Sequence, residues 1–347
     1  MGMHEQIAGL NQPQNGEPAR TPQVVTMIEA INLALHRAMA ADPNVVVLGE
    51  DVATNGGVFR ATLGLKQRFG HKRVLDTPLA ETLIAGISVG MAAQQLRPVA
   101  EIQFMGFIYA TLEHMISHAA RLRNRTRGRL SCPMVLRAPY GGGIHAPEHH
   151  SESTEALFCH IPGLRVVVPS SPTRAYGLLL SAIEDPDPVV FLEPKRVYRM
   201  VRQEIYDDGV GLPLDTCYTL RQGEHLTLIS WGAMVHETLA AAEQLQHQGI
   251  SAEVIDVATL SPLDMETLVA SVQKTGRALV IQEAAGHCGV AAEISARLQE
   301  QAFSSLRAPV ARLTGFDIPM PYLRRENLYM HQAGDIVQAA VNLLEAP

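Results

Sequence analysis

The sequence predicts an α/β protein made of two consecutive domains, each built on a parallel sheet. Three observations carry that expectation. Short, largely apolar runs such as 44–48 (NVVVL), 165–169 (RVVVP) and 189–193 (VVFLE) read as strands covered on both faces. These runs alternate with stretches of helical periodicity, the βαβ order of a parallel sheet flanked by helices. A polar, turn-rich stretch from about Tyr198 to Gly223 separates two such series. The expected division is a loosely held tail over 1–23, a first domain over 24–200, a linker over 201–222 and a second domain over 223–347, and 347 residues suffice for two domains.

Along the first domain, Thr26 and Glu29 have capping-box spacing, and Ile28, Ile31, Leu35 and Met39 follow at helical spacing until Asp42-Pro43. Strand 44–48 ends in Gly49-Glu50-Asp51, at the carboxyl end where open α/β sheets keep their sites. The loop TNGGVFR and the helix LGLKQRFG come next. A further unit holds strand Val74-Leu75, the loop DTPLAE, the helix LIAGISVGMAA and a strand over 98–102. Residues 105–120 read as a helix, 134–137 as a strand, and APYGGGIHAPEHHSES as a loop; helix 172–184 and the turn EDPDP complete the domain. The second domain alternates LTLISW, helix 234–247, AEVIDV, helix 264–274, ALVIQE, helix 290–301, strand 309–313 and a terminal helix near 335–345.

Hydrophobic residues make up 47% and charged residues 18% of the chain, which fits an α/β enzyme rather than a disordered or fibrous chain. A net charge of −7 argues against nucleic acid as the main partner. Cys132, Cys159, Cys217 and Cys288 make no CxxC pair, which fits a reducing compartment. No apolar run is long enough to span a membrane, and the first twenty residues contain Arg20 as their only Lys or Arg, unlike a signal or transit peptide. A cytoplasmic protein with no membrane partner is expected.

Chemistry is expected where DTPLAE meets its helix. Glu81 stands at the mouth of a helix apolar enough to be buried. A carboxylate there is either favoured by the helix dipole or kept for a task. Gly86 and Gly90 share a helix face and allow another backbone to come close. His114 and His118 have a metal-compatible spacing without a third ligand nearby, and the arginines at 121, 123, 125, 127 and 129 suit a subunit or anion contact better than a nucleic-acid stripe. His145, His149 and His150 crowd the Gly-rich loop, either as an ordinary polar surface or as an acid/base on a flexible active-site loop. His287-Cys288 carries no mark of a lowered thiol pKa. A P-loop is absent, and no GxGxxG follows a strand.

The segments GEDVATNGGVFRATLGL, VLDTPLAETLIAG, RPVAEIQFMGFIYA, GGGIHAPEHHSES, PGLRVVVPS and SAIEDPDPVVFLEPKRVY follow one another in the order of a known family. From about residue 24 to the C terminus the chain resembles the β subunit of the thiamine-diphosphate-dependent decarboxylase component of 2-oxo acid dehydrogenase complexes. The resemblance implies a thiamine pyrimidine-binding domain followed by a transketolase C-terminal-like domain. It also implies an α subunit in an α2β2 tetramer, and a dihydrolipoyl acyltransferase core that receives the acyl group. The α subunit of that family holds Mg²⁺ and the diphosphate through GDG and a later Asn pair. Here only Asp207-Asp208-Gly209 approaches that motif, and no Asn pair occurs.

By the resemblance, Glu81 is the carboxyl group at N1′ of the aminopyrimidine. Gln103, Phe107 and Leu79 line the pyrimidine pocket, and Glu50 lies in the acidic segment linking the two cofactor sites. His150 passes the acyl group to lipoamide, with His149 beside it as the competing imidazole. Oxygens of Met134, Ala182, Ile183, Asp185 and Asp187 match a monovalent-cation site, K⁺, of some relatives. FMGF and the histidine loop lean toward pyruvate as the 2-oxo acid substrate, with branched-chain 2-oxo acids and acetoin as alternatives. A self-sufficient transketolase-type enzyme and a non-catalytic Rossmann-type binding module are the rivals of other classes.

Overall fold

The computed structural model describes residues 22–346, so the expected tail lies outside the described residues up to position 21, and Gln23 already opens strand β1 (Gln23–Thr26). The helix Met27–Ala41 starts at the expected capping box: the Glu29 N–H donates to Thr26 Oγ1 at 3.4 Å and the Thr26 N–H to Glu29 Oε2 at 2.7 Å. The first sheet contains β2 (Val45–Gly49), β3 (Val74–Asp76), β4 (Arg97–Glu101), β5 (Val135–Tyr140), β6 (Arg165–Val167) and β7 (Val189–Pro194), all parallel to one another. Next in sequence are β8 (Arg202–Ile205), β9 (Tyr218–Arg221), β10 (Leu226–Ser230), β11 (Ala252–Asp256), β12 (Thr259–Ser261), β13 (Ala278–Ala285) and β14 (Ala311–Gly315). The first sheet runs β12-β6-β7-β5-β4-β2-β3 and the second β14-β13-β10-β11-β9.

The strands obey the period-two rule. Val189 and Phe191 face a core shared with the helices Met27–Ala41 and Pro172–Glu184. Val190 and Leu192 face another, shared with the helix Glu81–Ala93 and with Trp231, Ile255, Leu268 and Ile294 of the second domain. That second core is continuous across both domains, and β12 from the later sequence closes the edge of the first sheet, antiparallel to β6.

Several expectations need correction. The segment 201–222 is not merely turns: β8 pairs with β1, and β9 forms an antiparallel edge on β11. The helix expected over 105–120 breaks into a 3₁₀ turn Met105–Thr111, a short helix Leu112–Ser117 and a 3₁₀ turn Ala119–Arg121. Thr111 Oγ1 donates to the Ile108 carbonyl at 2.7 Å, a local bond that competes with regular helix. The arginine run is helical only over Leu122–Arg125, and the last strand lies at Ala311–Gly315 rather than 309–313. The helix Glu81–Ala93 is buried on one face only, through Ile84, Ala85, Ser88 and Ala92, while Leu83 is exposed. Gly86 faces the His114 imidazole rather than a backbone, and Gly90 faces open space. No helix among the described residues is long and apolar enough to cross a membrane.

A buried charge network ties the central strands together. Arg137 on β5 donates from Nε to Glu193 Oε1 on β7 at 2.7 Å and from Nη1 to Glu101 Oε2 on β4 at 2.9 Å, and the Tyr198 hydroxyl adds a bond to Glu193 at 2.5 Å. Arg137 and Glu193 are buried at 1% and 0% exposure, so the charges stand or fall together. Arg137→Met should lower unfolding free energy by about 3–5 kcal/mol, because two carboxylates stay buried without their cation. Denaturant titration checks this; a loss under about 1 kcal/mol would contradict the role given to the network.

Candidate active site

Strand order explains why residues far apart in sequence meet. β3, β2, β4 and β5 lie side by side and parallel, with Gly49 in register with both Asp76 and Glu101. Their carboxyl ends therefore share one edge, where open α/β sheets place ligands. The loop after β2 carries Glu50 and the loop after β3 leads to Glu81. The loop after β4 carries Gln103 and Phe107, and the loop after β5 carries His145, His149 and His150. The first two loops are tied together: the Thr77 N–H donates to the Gly49 carbonyl at 2.9 Å, and Asp76 accepts from the Ala53 N–H and the Thr54 hydroxyl, both at 2.7 Å.

Glu81 is the first residue of its helix, and the capping residue Ala80 offers no side-chain bond. Its setting differs from the expected buried one: Glu81 is half-buried. Glu50 is the buried partner, 7% exposed, and its Oε1 has no hydrogen-bond partner. Burial, then the negative charges of Glu81 and Asp51, push the Glu50 carboxyl above its usual range. Glu50 and Glu81 thus lie near each other as two like charges at the carboxyl edge of the sheet, one buried and one half-buried.

Phe107 is half-buried and makes edge contacts with both imidazoles, at ring-centroid distances of 5.0 Å to His149 and 5.4 Å to His150. Phe104, which sequence reasoning missed, lies closer to His150, at 4.5 Å. The His150 Nδ1 is buried and without a hydrogen-bond partner, whereas His149 is exposed. Gly106, also missed, is the seat of this loop: a Cβ there would stand 1.9 Å from the His149 carbonyl oxygen. Thr82 ties the mouth of the Glu81 helix to the same region by donating to the Ala110 carbonyl at 2.9 Å. Gln103 is half-buried at this edge, and Leu79 is 82% exposed.

The expected cation ligands lie elsewhere, at the amino ends of β5 and β7. There the Ile183 and Asp185 carbonyls accept from Arg97 Nη1 at 2.8 and 3.2 Å, and the Met134 carbonyl accepts from the Val189 N–H at 3.0 Å. The carboxylates of Asp185 and Asp187 pair with Arg165 and Arg123. Among the described residues no group of three or more His, Cys, Asp or Glu side chains is placed to hold a metal ion, His114 and His118 included.

A further buried acid follows the histidine loop in sequence. Glu155 is 1% exposed; Trp231 Nε1 donates to its Oε1 at 3.1 Å, and Oε2 has no partner. Burial pushes its carboxyl up to about 7 from an ordinary value of 4.5. The folded state therefore holds a proton that the unfolded chain has already released. The associated stability is fully present below about pH 4.5 and fades as pH rises toward 7, by about 3 kcal/mol in all. Glu155→Gln should narrow the difference in melting temperature between pH 5 and pH 8. An unchanged difference would remove Glu155 from the pH response.

With this geometry in view, the class is defined by two domain matches. The chain matches the family described as "Transketolase, pyrimidine binding domain" over residues 23–201, and "Transketolase, C-terminal domain" over 215–336. The solved structure "Split gene transketolase, inactive beta4 tetramer" shares the fold, with a TM-score of 0.74 at 22% identity, covering 93% of this chain and 99% of that one. Much nearer in sequence is the "Pyruvate dehydrogenase E1 component subunit beta" of Acholeplasma laidlawii, 49% identical over 323 residues, 93% of this chain and 99% of the relative. The protein of the same description from Bacillus subtilis (strain 168) is 47% identical over 321 residues, again 99% of its length. The chain belongs to the pyruvate dehydrogenase E1 β-subunit family. It is thus an enzyme component; this sets aside the non-catalytic module and favours pyruvate over the branched-chain and acetoin alternatives.

Proposed function

We propose that the chain pairs with an α subunit as α2β2, decarboxylates pyruvate on thiamine diphosphate, and reductively acetylates the lipoyl group of a dihydrolipoyl acyltransferase core. The observation that carries this reading is the Glu50–Glu81 pair at the carboxyl edge of the first sheet. The residues fit an aminopyrimidine: Glu81 is open to a ligand, Glu50 Oε1 is buried and unpartnered, and Gln103 and Phe107 flank the same edge half-buried. Thiamine diphosphate, when bound, supplies a nucleophilic carbon and an electron sink. Glu81 hydrogen-bonds the ring's N1′ and exchanges a proton there, beside the buried Glu50, whose carboxyl is raised first by burial and then by the charge of Glu81. Phe107 offers an apolar wall and Gln103 an amide. His150, with its free Nδ1, positions or protonates the incoming lipoyl group.

The diphosphate and Mg²⁺ are assigned to the α subunit, since this chain has no GDG…NN motif. Val58, Leu63, Leu79 and Leu83 are large apolar side chains left exposed on the segments around the site, at 43%, 57%, 82% and 43%. An α subunit covering them would exclude water and complete the pocket. The second domain would dock the other β subunit and the acyltransferase core. K⁺ at the Ile183 and Asp185 carbonyls would have to share them with Arg97. The described cysteines are all free, which suits a reducing cytoplasm. The test is co-expression with an α subunit of this family and comparison of turnover on pyruvate, 3-methyl-2-oxobutanoate and acetoin. Pyruvate should be preferred; turnover by the isolated chain, or none by the pair, would overturn the proposal.

A further inference from the structure

We propose that Glu283 and Glu326 are positioning residues: two buried carboxylates of the second domain clamp the Gly-rich loop of the first, and so hold His149 and His150 in place. The role given to the histidines rests on the function proposed above; the clamp itself rests on geometry.

Left alone, a loop with Gly141 and Gly143 at φ +82° and +90° has little to hold it. The second domain supplies the missing bonds. Glu283, on β13, accepts from the Gly142 N–H at 2.6 Å and from the Ser153 hydroxyl at 3.0 Å through the same Oε1. Glu326 accepts from the Gly143 N–H, from the His145 N–H at 2.7 Å, and lies 2.8 Å from His145 Nδ1. Glu283 and Glu326 are only 7% and 1% exposed. Burying two carboxylates is costly unless donors surround them, and here loop donors do so.

The glycines explain how the carboxylates come so close. A Cβ at Gly141 would stand 2.7 Å from Glu283 Oε1, and one at Gly142 would stand 2.9 Å from Glu326 Oε1. The charge is also answered. Lys195, 3% exposed, has an Nζ with no hydrogen-bond partner. Burial lowers it to about 8, while Glu283, Glu326 and Glu152 oppose that shift. A buried ammonium beside these acids balances the clamp without forming a direct ion pair with it. The loop is thus fixed at Gly142, Gly143 and His145 by the second domain, and at His149 by its seat on Gly106.

The experiment uses Glu283→Gln and Glu326→Gln in the full chain assembled with an α subunit. Each variant keeps the side chain's shape but replaces an accepting oxygen with a donor. Losing a charge-assisted bond should speed amide hydrogen exchange in residues 142–150 by about tenfold or more. Acetyl transfer to a lipoyl domain should fall by about 10- to 100-fold. Pyruvate oxidation by ferricyanide, which bypasses the lipoyl step, should change by less than about twofold. Unchanged exchange together with unchanged lipoyl transfer would overturn the clamp. If the wild-type assembly fails to acetylate lipoyl groups, the proposed function fails, yet the exchange measurement still decides the clamp. Should a Gln variant not fold, Glu326→Asp, which keeps the charge but withdraws it by one methylene, is read by the same two measurements.

Discussion

Glu81→Gln is expected to lower pyruvate decarboxylation by the assembled enzyme about 10²- to 10⁴-fold, the range attached to a positioned acid/base group. The glutamine can still bond a ring nitrogen but can neither take up nor release a proton. Fold and assembly should survive, for two reasons visible in the chain. Glu81 is half-buried and makes no capping bond, so its charge contributes only a helix-terminus term, about 0.3–1 kcal/mol. Its removal also relieves Glu50 of a like charge. The loss should appear equally with ferricyanide as acceptor, because decarboxylation precedes acyl transfer. Clamp variants, by contrast, should lose only the lipoyl step. A Glu81→Gln enzyme with full ferricyanide activity would contradict the role of the carboxylate.

Gly106→Ala is expected to damage the lipoyl step through the backbone rather than through any reacting group. The added methyl would stand 1.9 Å from the His149 carbonyl oxygen and 2.9 Å from its carbon. No rotamer change moves a carbonyl, so the histidine loop must shift. A displacement of about 1 Å can cost about 100-fold in rate, and overpacking at a tight seat about 1–3 kcal/mol in stability. Gly334→Ala, in the terminal helix Ala333–Glu345, is the matched control. Nothing lies within 4 Å of its would-be Cβ, and removing a glycine from an exposed helix position should stabilise by about 0.5–1 kcal/mol. Equal behaviour of the two variants in lipoyl acetylation would show that the histidine loop is not seated on Gly106.

Much of the fold is legible because hydrophobic periodicity is local. The capping box at Thr26 and the helices Pro172–Glu184 and Met234–His247 fall where the pattern puts them. Glu81 also stands out, since an acid between a Pro-containing loop and an apolar helix is a local anomaly. Its surroundings are another matter. A run such as LIAGISVGMAA reads as buried all round, yet one face of its helix is open in the single chain, and composition cannot distinguish a core from a surface awaiting a subunit. The Glu101–Arg137–Glu193 network depends on β4, β5 and β7 being neighbours, and strand order is not written in any one strand. Glu283 and Glu326 bond a loop well over a hundred residues earlier in sequence, so only the packing of the two domains exposes them. The one signal for that contact was the run of three glycines, which reports close approach without naming what approaches.

The most direct test is a structure of the chain assembled with an α subunit and thiamine diphosphate, in which the distance from the Glu81 carboxylate to the aminopyrimidine N1′ is measured. Hydrogen-bond contact, about 2.6–3.2 Å, is the predicted result. A ring bound beyond the reach of Glu81, or a cofactor held wholly within one polypeptide, would contradict it.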